Sequence, residues 1–382
     1  MNRNVTKVAL FILLATTYIW TVKPSCAGDE KTASDAGEIG VMKIASGTET
    51  GKVGSVSLDI GSRSADLGKS AFEGLVELQQ KAQNGSDEAQ YRLGVCYLTA
   101  DAAKRDFEKA LAWLYKAAEK GNIKAMNSIG KMYAHGWGFE RNYLEAKKWY
   151  LLAADRNDPH AQYSMGVLYL NADGCGKDPQ LARSWFQKAA DQNSGQGYYG
   201  LGVIVFNGEG VPVDKAEALR LFRKATDLGD PQAMRAIGRE YAMGIRVPKD
   251  YTKAEEWLTK AMQKGDGEAM FCLGWIYEKG ENGVKNISYA LDLYNRAAQR
   301  GADGAFIRLG LIYKLGEGVR QDLPQALFWF KLGAELILEK DERDSAVRER
   351  DALISSLPRK IMPQIDWRVK QWKSENWNPI TF

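Results

Sequence analysis

The chain has 382 residues, 45% hydrophobic and 26% charged, the balance of an ordinary globular protein with enough apolar residues for a large core. Its formal net charge of +4 comes largely from residues 1–27, which hold Arg3, Lys7 and Lys23 and no acid, leaving 49 basic and 48 acidic residues in the rest. A body this close to neutral excludes the usual nucleic-acid binder, because holding phosphates needs a strong basic excess on one face.

Residues 1–27 read as a signal peptide. Arg3 and Lys7 open it, an apolar run from Val8 to Trp20 follows, and Pro24-Ser25-Cys26-Ala27 supplies small residues for cleavage after Ala27. The run of about 13 apolar residues is shorter than the roughly 20 that span a bilayer, so no transmembrane span is expected in the mature form. The expected location is the periplasm. A lipoprotein anchored through Cys26 is an alternative, weakened by Lys23 where bacterial lipoproteins usually carry Leu; secretion is another.

Residues 28–70 are mostly Gly, Ser, Thr, Ala, Asp and Lys without an apolar stripe, the composition of a flexible linker. Gly68-Lys69-Ser70 ends this stretch like a phosphate-binding loop, but the Gly that such a loop needs five residues earlier is Arg63 and no strand precedes it. Nucleotide binding is therefore rejected. Residues 71–88 read as an N-terminal capping helix, with Leu78, Ala82 and Gly85 in register with the second helices that follow and polar Glu77 and Lys81 at its outer positions.

From Ala89 a 36-residue unit recurs seven times, starting at Ala89, Ala125, Ala161, Gly197, Ala233, Ala269 and Ala305 and filling residues 89–340. Such a period marks a solenoid, in which each unit buries its apolar face by stacking on its neighbours. Gly94, Gly130, Gly166, Gly202, Gly238, Gly274 and Gly310 fall mid-helix, where Gly costs about 1 kcal/mol against Ala. Close helix contact explains them, and the small residues Ala110, Ala146, Ala182, Ala218, Ala254, Ala290 and Ala326 are the expected partners. Tyr97, Tyr133, Tyr169, Tyr241, Tyr277 and Tyr313, with Trp113, Trp149, Trp185, Trp257 and Trp329, repeat at helical spacing and read as packing residues rather than a cofactor or sugar site. Asp106, Asn142, Asp178, Asp214, Asp250, Asn286 and Asp322 are start signals for the second helices, and Gly121, Asn157, Asn193, Gly229, Gly265 and Gly301 stop signals.

Beyond the repeats, residues 341–382 read as a C-terminal capping helix and tail. Trp367, Trp372 and Trp377 step by five and would not share one helical face, which leaves a Trp-bearing docking tail as the alternative.

Little here points to chemistry. His135 and His160 stand at opposite ends of the chain segment between Ala134 and Ala161, without the clustered Cys, His and carboxylates of a zinc site, so no metal and no cofactor are expected. Ser128-Ile129-Gly130-Lys131 matches the Ser-x-x-Lys pattern of penicillin-interacting enzymes but falls on a helix, and no Lys-Thr-Gly follows. Cys96 shares a position with Met, Leu and Ile in other copies and is expected in the core, while Cys175 falls in an inter-helix loop and Cys272 on a first helix. Three such Cys do not make one disulfide per repeat.

Ala-x-x-x-Leu-Gly-x-x-Tyr, then Gly-x-Gly-Val, then Asp-x-x-x-Ala-x-x-Trp-Phe/Tyr-x-Lys-Ala-Ala resembles the Sel-1-like repeat, a relative of the tetratricopeptide repeat, over residues 89–336. The resemblance implies an all-α, right-handed α/α superhelical solenoid of antiparallel helix pairs. It also implies a non-enzymatic protein-binding scaffold or adaptor whose partner is another protein. Exported bacterial members include immunity proteins against secreted toxins, regulators of envelope sensors and host-interaction factors. A cell-wall or lactam-directed hydrolase, as proposed for cysteine-rich relatives, is the alternative, disfavoured here by the few Cys. A monomer is expected.

If tetratricopeptide geometry carries over, the first helices line a concave face through residues two and six positions after each start. One row then reads Tyr91, Asn127, Tyr163, Tyr199, Arg235, Phe271, Ile307, the other Val95, Lys131, Val167, Val203, Arg239, Trp275, Leu311. These positions vary from copy to copy, and aromatic and Arg residues dominate the energetic centres of protein interfaces. Tyr91, Lys131, Tyr163, Tyr199, Arg235, Arg239, Phe271 and Trp275 are the candidate partner-binding residues.

Overall fold

The computed structural model describes residues 65–100, 105–244, 247–337 and 339–376, with side chains from Gly74 onward; the signal segment, Cys26, most of the linker and Trp377 lie outside the described residues. Helix α1, Ala65–Gln83, begins inside the stretch that composition assigns to the linker, six residues before Ala71. At its end Ala82 is fully buried, and its carbonyl accepts a bond from Gln90 Nε2 at 3.0 Å.

Seven helix pairs follow, and polar residues at fixed places start them. The first helices are α2 (Asp87–Thr99), α4 (Ile123–His135), α6 (Pro159–Asn171), α8 (Gly195–Asn207), α10 (Pro231–Met243), α12 (Gly267–Lys279) and α14 (Asp303–Leu315). Ser86, Asn122, Asp158, Ser194, Asp230 and Asp266 cap the first six, each side chain accepting the backbone N–H three residues on; Ala302 before α14 gives no such bond. The second helices are α3 (Phe107–Glu119), α5 (Tyr143–Ala154), α7 (Pro179–Asp191), α9 (Lys215–Asp227), α11 (Tyr251–Gln263), α13 (Ile287–Gln299) and α15 (Leu323–Leu336). All seven start signals named above cap them in the same manner. The N–H of each of these capping residues also closes the inter-helix loop, as when Asn142 N donates to Tyr133 O at 2.9 Å. Asn157 and Asn193 take the left-handed conformation at φ 64° and 58°, as their places after a second helix require. The repeat region is thus an all-α, right-handed solenoid of antiparallel helix pairs.

The seam inside each pair corrects one expectation. A Cβ on Gly130 would come within 2.6 Å of the Tyr150 ring, and one on Gly166 within 2.4 Å of Phe186. Gly202 meets Phe222, Gly274 meets Tyr294 and Gly310 meets Phe330, with Leu114 and Leu258 serving Gly94 and Gly238. The partner of the Gly is therefore the large residue four places beyond the Ala row. The Ala residues are themselves fully buried, and the Ala110 and Ala254 carbonyls stand 3.2 Å from a Cβ on the facing Gly, behind the larger side chain. A large side chain packed on bare backbone recovers in dispersion and apolar burial what the helix loses in propensity.

The repeated Tyr and Trp pack as the spacing implied, though less deeply than a core row. Trp185 and Trp329 are buried, while Trp113, Trp149 and Trp257 keep one edge in water. Lys116, Lys188 and Lys260 lie over Trp113, Trp185 and Trp257 at 4.3, 3.8 and 4.3 Å. Cys96 is a correction: it is exposed, because pair 1 is first and no full pair precedes it to cover that row. Cys175 is half-buried and Cys272 buried, all three as free thiols.

The C-terminal end is closed by two helices, α16 (Lys340–Ser356) and α17 (Met362–Asn376). Their need is written in α15, whose residues 326–330, Leu332, Gly333 and Leu336 spread over most of the helix and are all buried, while Lys331 and Glu335 pair with Asp366 and Lys373 of α17. Trp372 sets its ring edge-on to Phe306 and to Trp329, 5.9 Å from each, whereas Trp367 stands 63% exposed. Pairs 6 and 7 are also joined by a buried charge network. Arg308 donates through Nε and Nη2 to both oxygens of Glu278 at 2.6 Å, and Tyr294 Oη donates to Glu278 at 2.9 Å.

Candidate protein-binding surface

Residues two and six places after each repeat start lie about one helical turn apart, so α2, α4, α6, α8, α10, α12 and α14 carry them on one face. Tyr91, Tyr163 and Tyr199 are half-buried, as are Lys131, Arg235, Arg239 and Trp275. Three of the four aromatics at the first position lean on the large second-helix residue of their own pair: Tyr163 on Phe186 at 5.5 Å, Tyr199 on Phe222 at 5.7 Å, Phe271 on Tyr294 at 5.5 Å. One side of each ring is thereby spent on the fold. Phe271 goes further and leaves the accessible set. It is 3% exposed, with its ring tip 2.9 Å from where a Gly304 Cβ would stand, so it packs between pairs 6 and 7. Ile307 is likewise buried, and so is Asn127.

The face is polar in its middle. Tyr163 Oη donates to Gln232 Oε1 at 3.1 Å, reaching two pairs along. Arg235 Nε lies 3.2 Å from Asp266 Oδ2, the carboxylate that also caps α12. Burial works against the Arg235 charge, but Asp266 and Tyr199 hold its pKa above the usual value. Burial raises the Tyr163 phenol well above its ordinary range, and Tyr199 and Asp230 add to the effect. Glu268 is raised by burial, against the pull of Arg235 and Arg239. Glu342, in the first turn of α16, is pushed up to about 7 by burial and then by Glu268, Glu339 and Asp341.

Gln232, Glu268 and Glu342 were not among the residues picked from the sequence. The frame could have found the first two, since the place just before each repeat start lies on the same face and varies as freely: Glu88, Lys124, His160, Gln196, Gln232, Glu268. Glu342 has no such signal, because it lies outside the repeats. Ser128 and Lys131 form no nucleophile–base pair: Ser128 Oγ donates to Lys124 O at 2.9 Å within its own helix. Among the described residues no group of His, Cys, Asp and Glu could hold a metal, and no helix is long and apolar enough to cross a membrane.

A solenoid whose framework residues are buried while most of the variable residues on one face of its first helices stay half-exposed is of the class suited to protein–protein interaction. The Sel1 repeat family model matches residues 87–122, 123–158, 159–194, 195–230, 231–266, 267–301 and 307–337, and the chain belongs to that family. Among solved structures it is similar to a Sel1 repeat protein from Oxalobacter formigenes, at 32% identity over 68% of this chain and 99% of that one, TM-score 0.49. A protective antigen of uropathogenic Escherichia coli displaying an SLR fold matches at 26% identity over 80% and 72%, TM-score 0.41. An immunity protein from Pseudomonas aeruginosa matches at 24% identity over 60% and 81%, TM-score 0.43. A comparison with curated proteins gives no match.

Proposed function

We propose that the protein is a non-enzymatic scaffold of the bacterial envelope that holds a partner protein on the concave face of its solenoid. The observation that carries this is the split between repeated and variable positions. Gly130, Ala146 and Tyr150 and their copies are used up in burial, whereas the changing residues Tyr91, Lys131, Tyr163, Tyr199, Arg235, Arg239 and Trp275 stay half-exposed. Half-exposed Tyr, Trp and Arg offer a large rigid contact area at small entropic cost. Export to the periplasm, by the signal segment, places the partner in the envelope or outside it, as a delivered toxin, a membrane sensor or a host factor.

Arg235 is a poor target for mutation, because reversing its charge would set an acid beside Asp266 and Glu268. Better variants borrow residues that other copies carry at the same frame position. Tyr91→Asn takes the residue of pair 2, and Trp275→Val that of pairs 1, 3 and 4. Immobilised protein captures its partner from native envelope extract, identified by mass spectrometry. The Tyr91→Asn/Trp275→Val double variant is expected to lose that capture while melting within a few degrees of the parent. Undiminished capture would refute the concave-face reading. The identity of the captured protein separates toxin, sensor and host factor.

A further inference from the structure

The two rows picked on the concave face carry three cations, and two of them are answered by acids of this chain. Arg235 has Asp266 at 3.2 Å, and Arg239 lies in the field of Glu268. Lys131 differs. It is half-buried on α4, and among the described residues no hydrogen bond or ion pair reaches its ammonium. Asp158 acts on it only through space, and Asp158 Oδ2 is itself engaged by the Ala161 N–H at 3.0 Å. Burial accordingly lowers the Lys131 pKa.

One turn earlier on the same helix face stands Asn127. It is 8% exposed, and its Oδ1 is buried without a hydrogen-bond partner. One turn later stands His135, its pKa pushed down to about 4 by burial, Lys131 and Arg141, so that it is neutral at pH 7. A desolvated amine and an orphaned amide oxygen both disfavour folding. The fold does not ask for either, since the other copies carry Tyr, Arg, Phe or Ile at the Asn127 position and, apart from Arg239, Val, Trp or Leu at the Lys131 position. Both groups are what an acidic chain segment would need: an ammonium for its carboxylate and an amide for its backbone N–H.

We propose that Lys131 and Asn127 form the subsite of the concave face that takes a carboxylate of the partner, from an Asp or Glu side chain or from a chain terminus, with the unsatisfied Asn127 amide rotating out of its buried position to accept an adjacent backbone N–H. This rests on the concave face being the binding surface. Arg235 and Arg239 compete poorly for such a carboxylate, because each already has acids of its own.

The test uses the whole protein and three random dodecapeptide mixtures: one with Asp and Glu and an amidated end, one without acids but with a free C-terminal carboxylate, one with neither. Peptides retained by immobilised protein are identified by mass spectrometry, and their affinities are measured by calorimetry. Retention from the first mixture assigns a side-chain carboxylate and from the second a terminal one, with the third retained at least tenfold less. Lys131→Met is expected to weaken the retained peptides at least tenfold, yet to melt no lower than the parent, since it removes a desolvated charge; a merely structural lysine would show a lower melting temperature. The third mixture binding as well as the others, no retention at all, or unchanged affinity in Lys131→Met would each overturn the proposal. Peptides indifferent to Lys131→Met but lost in Tyr91→Asn/Trp275→Val would sink this subsite and leave the concave reading standing; indifference to both would remove the two together.

Discussion

The seam within each helix pair and the concave row on the first helices are built from the same seven copies, yet they solve opposite problems. In the seam, Gly166 and Phe186 approach so closely that a single Cβ would clash, and every copy keeps a large residue opposite its Gly. On the concave row the same helices carry Tyr163, Arg235 or Trp275 without disturbing their neighbours. Constancy in this protein therefore marks packing, while most of the residues that change along the candidate face stay half-exposed. The network of Glu278 and Arg308 qualifies that division, because these two residues vary between copies and are nonetheless buried.

The largest effect is expected there. Glu278→Leu borrows the residue of pairs 1 and 3 but leaves the buried Arg308 with only the half-exposed Glu317, so it should cost about 3 kcal/mol in denaturant unfolding. Adding Arg308→Ala, the residue of pair 5, should return a good part of that loss. A double variant no better than the single would show that the network is not acting as an ion pair. Next comes the seam itself. Gly166→Ala sets a methyl 2.4 Å from Phe186 and should cost about 2 kcal/mol even though Ala is the better helix former. A stabilised variant would mean that the ring simply moves away.

Glu342 gives a pH-dependent difference. Its folded pKa of about 7 lies above the ordinary Glu value, so the stability linked to its proton is present at low pH and is lost as pH rises through about 7. Glu342→Gln should therefore melt higher than the parent at pH 8, with the gap closing toward pH 5. Parallel curves would contradict this. The smallest expected effect is at Ala172, which holds φ 62° where Gly136, Gly208, Gly244, Gly280 and Gly316 end five of the other six first helices. Ala172→Gly should stabilise by roughly 0.5 kcal/mol, as relief of left-handed strain narrowly exceeds the entropy of the added Gly.

Much of the fold could be read from the repeat, because helix starts and stops are local chemistry. An Asp or Asn before each second helix and a Gly or Asn after it need no tertiary information. The partner of the mid-helix Gly was not legible. Ala146 and Tyr150 lie on neighbouring parts of one helix, and only the crossing of the two helices decides which of them meets Gly130. Cys96 and Phe271 were misread for a related reason. A frame averages over neighbours that Cys96 does not have and that Phe271 has in excess. For the candidate face, periodicity placed the chosen residues on one side of the first helices but could not say that Phe271 is sealed, that Asp266 holds Arg235, or that burial beside Glu268 raises the Glu342 pKa.

The claim that recognition belongs to the variable concave residues is tested most directly by hydroxyl-radical footprinting of the protein with and without its captured partner. Protection of Tyr91, Tyr163, Tyr199 and Trp275, with Trp113, Trp149, Trp257 and Trp367 oxidised as in the free protein, is the predicted result. Protection of the second-helix tryptophans or of Trp367, with the concave residues unchanged, would contradict it.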